Sequence, residues 1–149
     1  MARAITVSGG AAGLRQDILI GPHRLVADEP PQAGSDDAGP NPYEFLLAAL
    51  GACTNMTLRM YADRKGWPLE EVRVVLTHAR SYAQDCVDCE EQETMIDRIE
   101  RRITLIGELS KEQRQRLLEM ADRCPVHRTL TSKVEIRTAL AEPASQEQE

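Results

Sequence analysis

Apolar and polar residues alternate along three short stretches in the first third of the chain. These stretches cover residues 5–7, 14–20 and 23–27, and a Gly-Pro pair separates the last two. Alternation with a period of two is typical of a strand with one buried face, and Gly-Pro marks a tight turn. The pattern therefore predicts three strands, followed by a polar loop rich in proline and glycine over residues 28–40.

A helical spacing of apolar residues follows this loop. Asn41 is a favourable N-cap, and Glu44 stands where a capping box requires it. Apolar side chains recur at helical intervals as far as Met60, and Gly66 is suited to end the helix. Because apolar residues cover much of the helix circumference over residues 45–53, we expect this part to be buried at the centre of the fold or in a subunit interface.

The second half of the chain repeats both kinds of pattern. We predict strands over residues 72–82 and 99–105, then a helix that ends at Cys124 because Pro125 follows it, and a last strand around residues 134–136. The order is three strands, a helix, two strands, a helix and a strand. This order predicts an α+β fold.

Composition narrows the function class. The chain has 149 residues, of which 42% are hydrophobic, and we expect a single domain over residues 1–140 with a disordered tail over residues 141–149. The net charge of -6 argues against a nucleic-acid partner. No apolar run approaches the ~20 residues of a membrane span, and the N-terminal residues lack a signal-peptide pattern. We therefore expect a cytoplasmic protein without a membrane partner.

Four cysteines are the candidates for chemistry. In the cytoplasm, cysteines are more often reduced, catalytic or metal-binding than paired in structural disulfides. Cys53 lies on the apolar side of the long helix, where a free cysteine often packs as a small hydrophobic residue. Cys124 lies at the predicted junction before Pro125, where a sulfur can be better exposed. Periodicity alone leaves packing and catalysis open for both.

Cys86 and Cys89 form a CxxC motif with acidic neighbours. The motif is compatible with a redox pair, with half of a zinc site for which His78 is a further candidate ligand, or with a passive loop. The acidic neighbours discourage a reactive thiolate, and a structural zinc site usually needs four Cys or His ligands. We expect neither a metal nor another cofactor.

Two segments resemble the cysteine motifs of the OsmC/Ohr family of osmotically induced and organic hydroperoxide resistance proteins. Residues 39–54 read GPNPYEFLLAALGACT, and residues 124–128 read CPVHR. Both motifs occur in order, and the similarity extends over residues 3–138. The resemblance implies an OsmC-like fold, with an antiparallel sheet wrapping a long central helix, and an intertwined homodimer whose active sites lie near the interface.

The resemblance also implies a thiol-dependent peroxidase acting on organic hydroperoxides or hydrogen peroxide. In this scheme Cys53 becomes a sulfenic acid, Cys124 condenses with it to a disulfide, and an external dithiol of the lipoyl or thioredoxin type reduces that bond. The family places an arginine beside the thiolate and a glutamate that holds the arginine. Arg24 and Glu44 are the candidates for these two roles.

The helix start departs from the peroxidase pattern. The better-known peroxidases read Asn-Pro-Glu, whereas this chain has Tyr43 in the third position and Glu44 one residue later, about 100° further round the helix. Glu44 can therefore be a capping residue alone. The shift favours an alternative function, an OsmC-fold redox sensor or a protein that binds a small apolar ligand and has little peroxidase activity. A zinc-stabilised protein is the third alternative.

Two further groups receive a prediction from the sequence. His127 is a candidate for assisting proton transfer beside Cys124, although the sequence slightly favours a simple loop histidine. The charged residues over residues 97–102 are expected to form a solvated strand face, with charge pairs across the strands.

Overall fold

The computed structural model describes residues 2–82 and 95–143. The described residues form five strands, one short 3-10 turn and three α-helices, so the α+β class is confirmed. In chain order the strands and helices are β1 (Ile5–Gly9), β2 (Gln16–Ile20), β3 (His23–Ala27), α1 (Pro42–Lys65), β4 (Glu71–Tyr82), β5 (Met95–Ile106), α2 (Lys111–Ala121) and α3 (Pro125–Leu130).

Helix α1 has the ends that its sequence predicts. The Asn41 side chain accepts a hydrogen bond from the Glu44 backbone N–H at 2.9 Å, and the Glu44 carboxylate accepts one from the Asn41 N–H at 3.0 Å. Gly66 ends the helix in a left-handed conformation with φ of 69°. No helix in the described parts of the chain is both long and apolar enough to cross a membrane.

The β4–β5 hairpin packs against α1 through alternate residues. The inward positions of β4 and β5 are partly buried, and the positions between them are exposed. The two elements approach closely at Gly51, where an added Cβ would lie 2.8 Å from Leu76 Cδ1. Helix α2 closes the other side of a core built around the C-terminal half of α1, made of Leu58, Tyr61, Ala62, Leu69, Leu117 and Ala121.

The three N-terminal strands form a second sheet in the order β1-β2-β3, with all pairs antiparallel. This sheet makes no substantial contact with α1 in the single chain. Several of its large apolar residues are exposed, among them Ile5, Val7 and Leu19. The described chain thus has two sheets, and only the β4–β5 sheet lies against the long helix. We expected a single sheet that wraps this helix, so the arrangement differs from that expectation.

Two predictions for the C-terminal part are wrong. The second helix ends at Ala121 rather than at Cys124, and Pro125 begins the short helix α3 instead of stopping a helix. Proline is well suited to the first position of a helix, because a backbone N–H at that position has no partner within the helix and its absence costs no hydrogen bond. Residues 133–143 form no strand, and Val134 and Ile136 are exposed.

Candidate functional site

Cys124 is completely buried between α1 and α3. Its exposure is 0%, and its sulfur accepts the His127 backbone N–H at 3.3 Å. On the other side Cys124 Sγ lies 3.9 Å from the Thr54 hydroxyl of α1. The expectation of an exposed sulfur is wrong, because α3 folds back onto α1 and covers the junction that the sequence left open.

Cys53 immediately precedes the threonine that contacts Cys124. Its side chain is half-buried, and both cysteines are free thiols. Neighbouring positions on a helix differ by about 100°, so Thr54 points to the buried side while Cys53 lies at the border of the exposed side. The fold therefore brings the segments that carry the two predicted cysteines into contact.

A largely buried arginine joins these segments. The Arg101 side chain is only 11% exposed, and its Nη1 donates to Thr54 Oγ1 at 3.0 Å and to the Ala121 carbonyl at 3.4 Å. Its Nη2 donates to Asp122 Oδ1 at 2.9 Å. The prediction of a solvated strand face is wrong for Arg101. The signal was its position in phase with Ile99 and Ile103, both on the inward face of β5.

His127 completes this cluster. Its Nδ1 lies 3.1 Å from Arg101 Nη2, and a guanidinium can only donate. In the hydrogen bond with Arg101, Nδ1 is therefore the acceptor, which corresponds to the imidazole tautomer with its proton on Nε2. His127 and Arg101 line a cavity of about 440 Å³ together with Leu50, Asp97, Ile99, Asp122, Leu130 and Thr131.

A second polar cluster lies beside the start of α1. His78 Nε2 donates to Asp97 Oδ1 at 2.8 Å, and Arg80 Nε donates to the same oxygen at 3.1 Å. These hydrogen bonds lower the pKa of Asp97 below its ordinary value of 3.8, and the hydrogen bond from His78 has the largest effect. Tyr43 stacks on the His78 ring with centroids 4.6 Å apart, so the residue that replaces the expected glutamate packs against this cluster.

Arg24 and Glu44 lie apart from the Cys124 cluster in the single chain. Arg24 is exposed on β3 and lines a cleft of about 570 Å³ on the three-stranded sheet, to which α1 contributes no residue. Glu44 is exposed and forms the capping box of α1. Cys86 and Cys89 lie outside the described residues.

Asp28 anchors the loop that leads into α1. It is 3% exposed and accepts hydrogen bonds from the Ser35 hydroxyl and from the backbone N–H groups of Ala38 and Glu29. These hydrogen bonds lower the pKa of Asp28 below its ordinary value of 3.8, and the hydrogen bond from Ser35 has the largest effect. Sequence reasoning missed this role, because the partners are up to ten positions away in a loop without periodicity.

Comparisons with known proteins agree with this architecture. An OsmC-like protein from Mycoplasma pneumoniae has a crystal structure with a TM-score of 0.69 at 20% identity, covering 87% of each chain. An organic hydroperoxide resistance protein OsmC from Legionella pneumophila gives a TM-score of 0.64 at 17% identity, covering 88% of this chain and 90% of that one.

The organic hydroperoxide resistance protein OhrB of Bacillus subtilis gives a TM-score of 0.56 at 21% identity, covering 91% and 94% of the two chains. Among curated proteins no sequence matches. The family model described as OsmC-like protein matches residues 34–139, which include both predicted cysteine motifs. The chain therefore belongs to the OsmC-like protein family.

Proposed function

We propose that this protein is a thiol-dependent peroxidase that reduces organic hydroperoxides or hydrogen peroxide. The observation that carries the proposal is the contact between Cys124 Sγ and Thr54, the residue next to Cys53. Three structural neighbours are described as organic hydroperoxide resistance proteins, which supports a redox role at the level of the family.

The proposed cycle uses the two cysteines in sequence. The Cys53 thiolate attacks the distal oxygen of the hydroperoxide, the O–O bond breaks, and the alkoxide leaves as an alcohol after taking a proton. Cys124 then forms a disulfide with the Cys53 sulfenic acid and releases water. A dithiol of the lipoyl or thioredoxin type restores both thiols and is itself oxidised to a disulfide. A cytoplasmic setting, where such dithiols are kept reduced, suits this cycle.

The difference in burial between the two sulfurs supports these roles. Cys53 is half-buried, whereas Cys124 is fully buried. In the single chain Cys53 is therefore the more accessible sulfur, while Cys124 is reached only from within the protein. A protected second thiol close to the first is what conversion of a sulfenic acid into a disulfide requires.

We include an intertwined homodimer in this proposal. Apolar residues recur along the exposed side of α1 at alternating intervals of three and four, the spacing of a helix-packing seam. Met56 and Met60 on this stripe are both 64% exposed. A second copy of the chain would cover the stripe, and the exposed faces of the N-terminal sheets would enclose the pair. The stripe consists of Leu46, Ala49, Cys53, Met56 and Met60.

Arg24 and Glu44 take part in the proposal through this dimer. Because the sheet that carries Arg24 does not pack on its own α1, we propose that Arg24 approaches Cys53 of the partner chain and that Glu44 holds it there. Glu44→Gln separates clamping from capping, since glutamine retains the capping box and lacks the charge. Lower turnover at unchanged thermal stability supports the clamp, and unchanged turnover leaves Glu44 as a cap.

Single cysteine variants test the peroxidase directly. In Cys53→Ser, we expect no peroxide consumption, and in Cys124→Ser we expect a sulfenic acid on Cys53 that a dimedone-type reagent traps. A Cys86→Ser/Cys89→Ser double variant is the matched control, because it removes the same kind of group and leaves the proposed pair intact. Peroxide consumption that continues unchanged in Cys53→Ser would falsify the proposal.

A redox sensor or apolar-ligand protein remains the second candidate. It is favoured by the capping role that Glu44 already has and by the apolar residues of the 440 Å³ cavity, which include Leu50, Ile99 and Leu130. Steady-state turnover of peroxide with a lipoyl or thioredoxin-type dithiol separates the two functions. Stoichiometric oxidation without turnover would assign the sensor, and turnover would assign the enzyme.

A further inference from the structure

We infer that Arg101 is a positioning residue for the resolving step of the peroxidase cycle. Its guanidinium holds the segment that carries Cys124 against α1, beside Cys53. The inference rests on the proposed function and extends it to a residue outside both cysteine motifs, which lie in residues 39–54 and 124–128.

One guanidinium group bridges two parts of the fold. On the α1 side it donates to Thr54, and on the other side it donates to Ala121, Asp122 and His127. These last three acceptors flank Cys124 in sequence. Because the guanidinium is planar and its donors form a rigid fork, it fixes the distance and the orientation between the two sides.

The Thr54 hydroxyl connects the bridge to the sulfur. Its single proton is donated to the Leu50 carbonyl at 2.7 Å, and its oxygen accepts the Arg101 hydrogen bond at 3.0 Å. Cys124 Sγ lies 3.9 Å from this oxygen, and the sulfhydryl proton can use the remaining lone pair. The sulfur is thereby held at the helix position next to Cys53.

This placement matters for the step that forms the disulfide. Cys124 Sγ attacks the sulfur of the Cys53 sulfenic acid, so an S–S bond forms and the S–O bond breaks. The departing hydroxide takes the proton that Cys124 loses and leaves as water, so no further oxidant is needed. A disulfide requires Cα atoms about 4.4–6.8 Å apart, so the position of the residue 121–127 segment controls this step.

The first step, oxidation of Cys53 by the peroxide, requires different groups. It requires Cys53 and the peroxide, and neither the residue 121–127 segment nor Cys124 takes part in it. Loss of the bridge should therefore slow disulfide formation and leave sulfenic acid formation nearly unchanged. A residue that only supported folding would affect both steps together.

The experiment follows both steps in quenched samples of the full-length protein by mass spectrometry. Arg101→Met retains the apolar stem and removes the fork. We expect its rate of sulfenic acid formation to stay within about twofold. Its rate of disulfide formation should fall about 10- to 100-fold, the range for loss of the one charged hydrogen bond that reaches α1, from Arg101 to Thr54. Thr54→Val should likewise slow disulfide formation and leave sulfenic acid formation nearly unchanged. Thr54→Ser, which keeps the hydroxyl, should form the disulfide at the wild-type rate.

Arg102→Met is the matched control, because Arg102 is the neighbouring arginine on the exposed face of β5 and should change neither rate. Unchanged disulfide formation in Arg101→Met, or equal losses in the rates of both steps, would overturn the inference about Arg101 and leave the proposed function standing. If Arg101→Met does not fold, the Thr54 variants decide the question by the same split. If the wild-type protein forms no Cys53 sulfenic acid, the proposed function fails together with the inference.

Discussion

The contact between Thr54 and Arg101 allows a quantitative test of the bridge by protein stability alone. Thr54→Val replaces the hydroxyl by a methyl group of nearly the same size at a position that is 0% exposed. Arg101 Nη1 then keeps only the Ala121 carbonyl at 3.4 Å, a weaker contact than the 3.0 Å hydrogen bond that is lost.

The expected magnitude follows from these contacts. A hydrogen bond to a charged group contributes about 1.5–3 kcal/mol to the free energy of unfolding. The new buried methyl group returns up to about 0.8 kcal/mol. We therefore expect Thr54→Val to lower the free energy of unfolding by about 1–2 kcal/mol. In Arg101→Met the donor is already absent, so the same change should then cost much less, and the coupling energy should be about 1–2 kcal/mol.

The assay is a double-mutant cycle from urea unfolding, with all four proteins at one concentration because dimer formation would make stability depend on it. Thr54→Val combined with Arg102→Met is the control cycle, and its coupling should stay within about 0.5 kcal/mol. Additive effects of Thr54→Val and Arg101→Met, within that same margin, would refute the claim that this hydrogen bond joins α1 to the residue 121–127 segment.

Three further predictions concern acid stability, assembly and the turn after β5. Hydrogen bonds from His78 and Arg80 lower the pKa of Asp97, so they stabilise the fold above pH 3.8 and this contribution is lost as the pH falls through the lower folded-state value. Asp97→Asn should therefore flatten the decline of the urea midpoint on acidification, and an equally steep decline would contradict this. Met60→Glu should convert the proposed dimer into monomers in light-scattering measurements, whereas Leu118→Glu, at an exposed apolar position on α2, should not. Gly107→Ala should lower the free energy of unfolding by about 2 kcal/mol or more, because φ is 144° and the new Cβ would lie 2.2 Å from the Pro68 carbonyl oxygen, while Gly10→Ala meets no atom within 4 Å and should be neutral.

The local signals in the sequence predicted most of the secondary structure. The capping box of Asn41 and Glu44 and the glycine after Lys65 bound α1 as expected, and the alternating stretches became β2 to β5 within a few residues. These features depend on neighbours along the chain, such as a side chain that bonds a backbone group three positions away. The residue-by-residue similarity of both cysteine motifs likewise predicted the family.

The site required tertiary information. Alternation along β5 shows that Arg101 shares a phase with Ile99 and Ile103, but the charges around it favoured a solvated strand. Only the fold brings Thr54 and the residue 121–127 segment to this side chain and supplies the hydrogen bonds that let a cation be buried.

The sequence by itself determined where β1 to β5 and α1 lie to within a few residues, and that the chain has the OsmC-like motifs. The tertiary structure decided that Cys124 is buried, that an arginine from a distant strand joins its segment to α1, and that residues 133–143 form no strand. The physical reason is the distance along the chain over which each kind of interaction acts. Caps and periodicity act over a few residues, whereas burial and the pairing of a strand depend on elements that lie far apart along the chain.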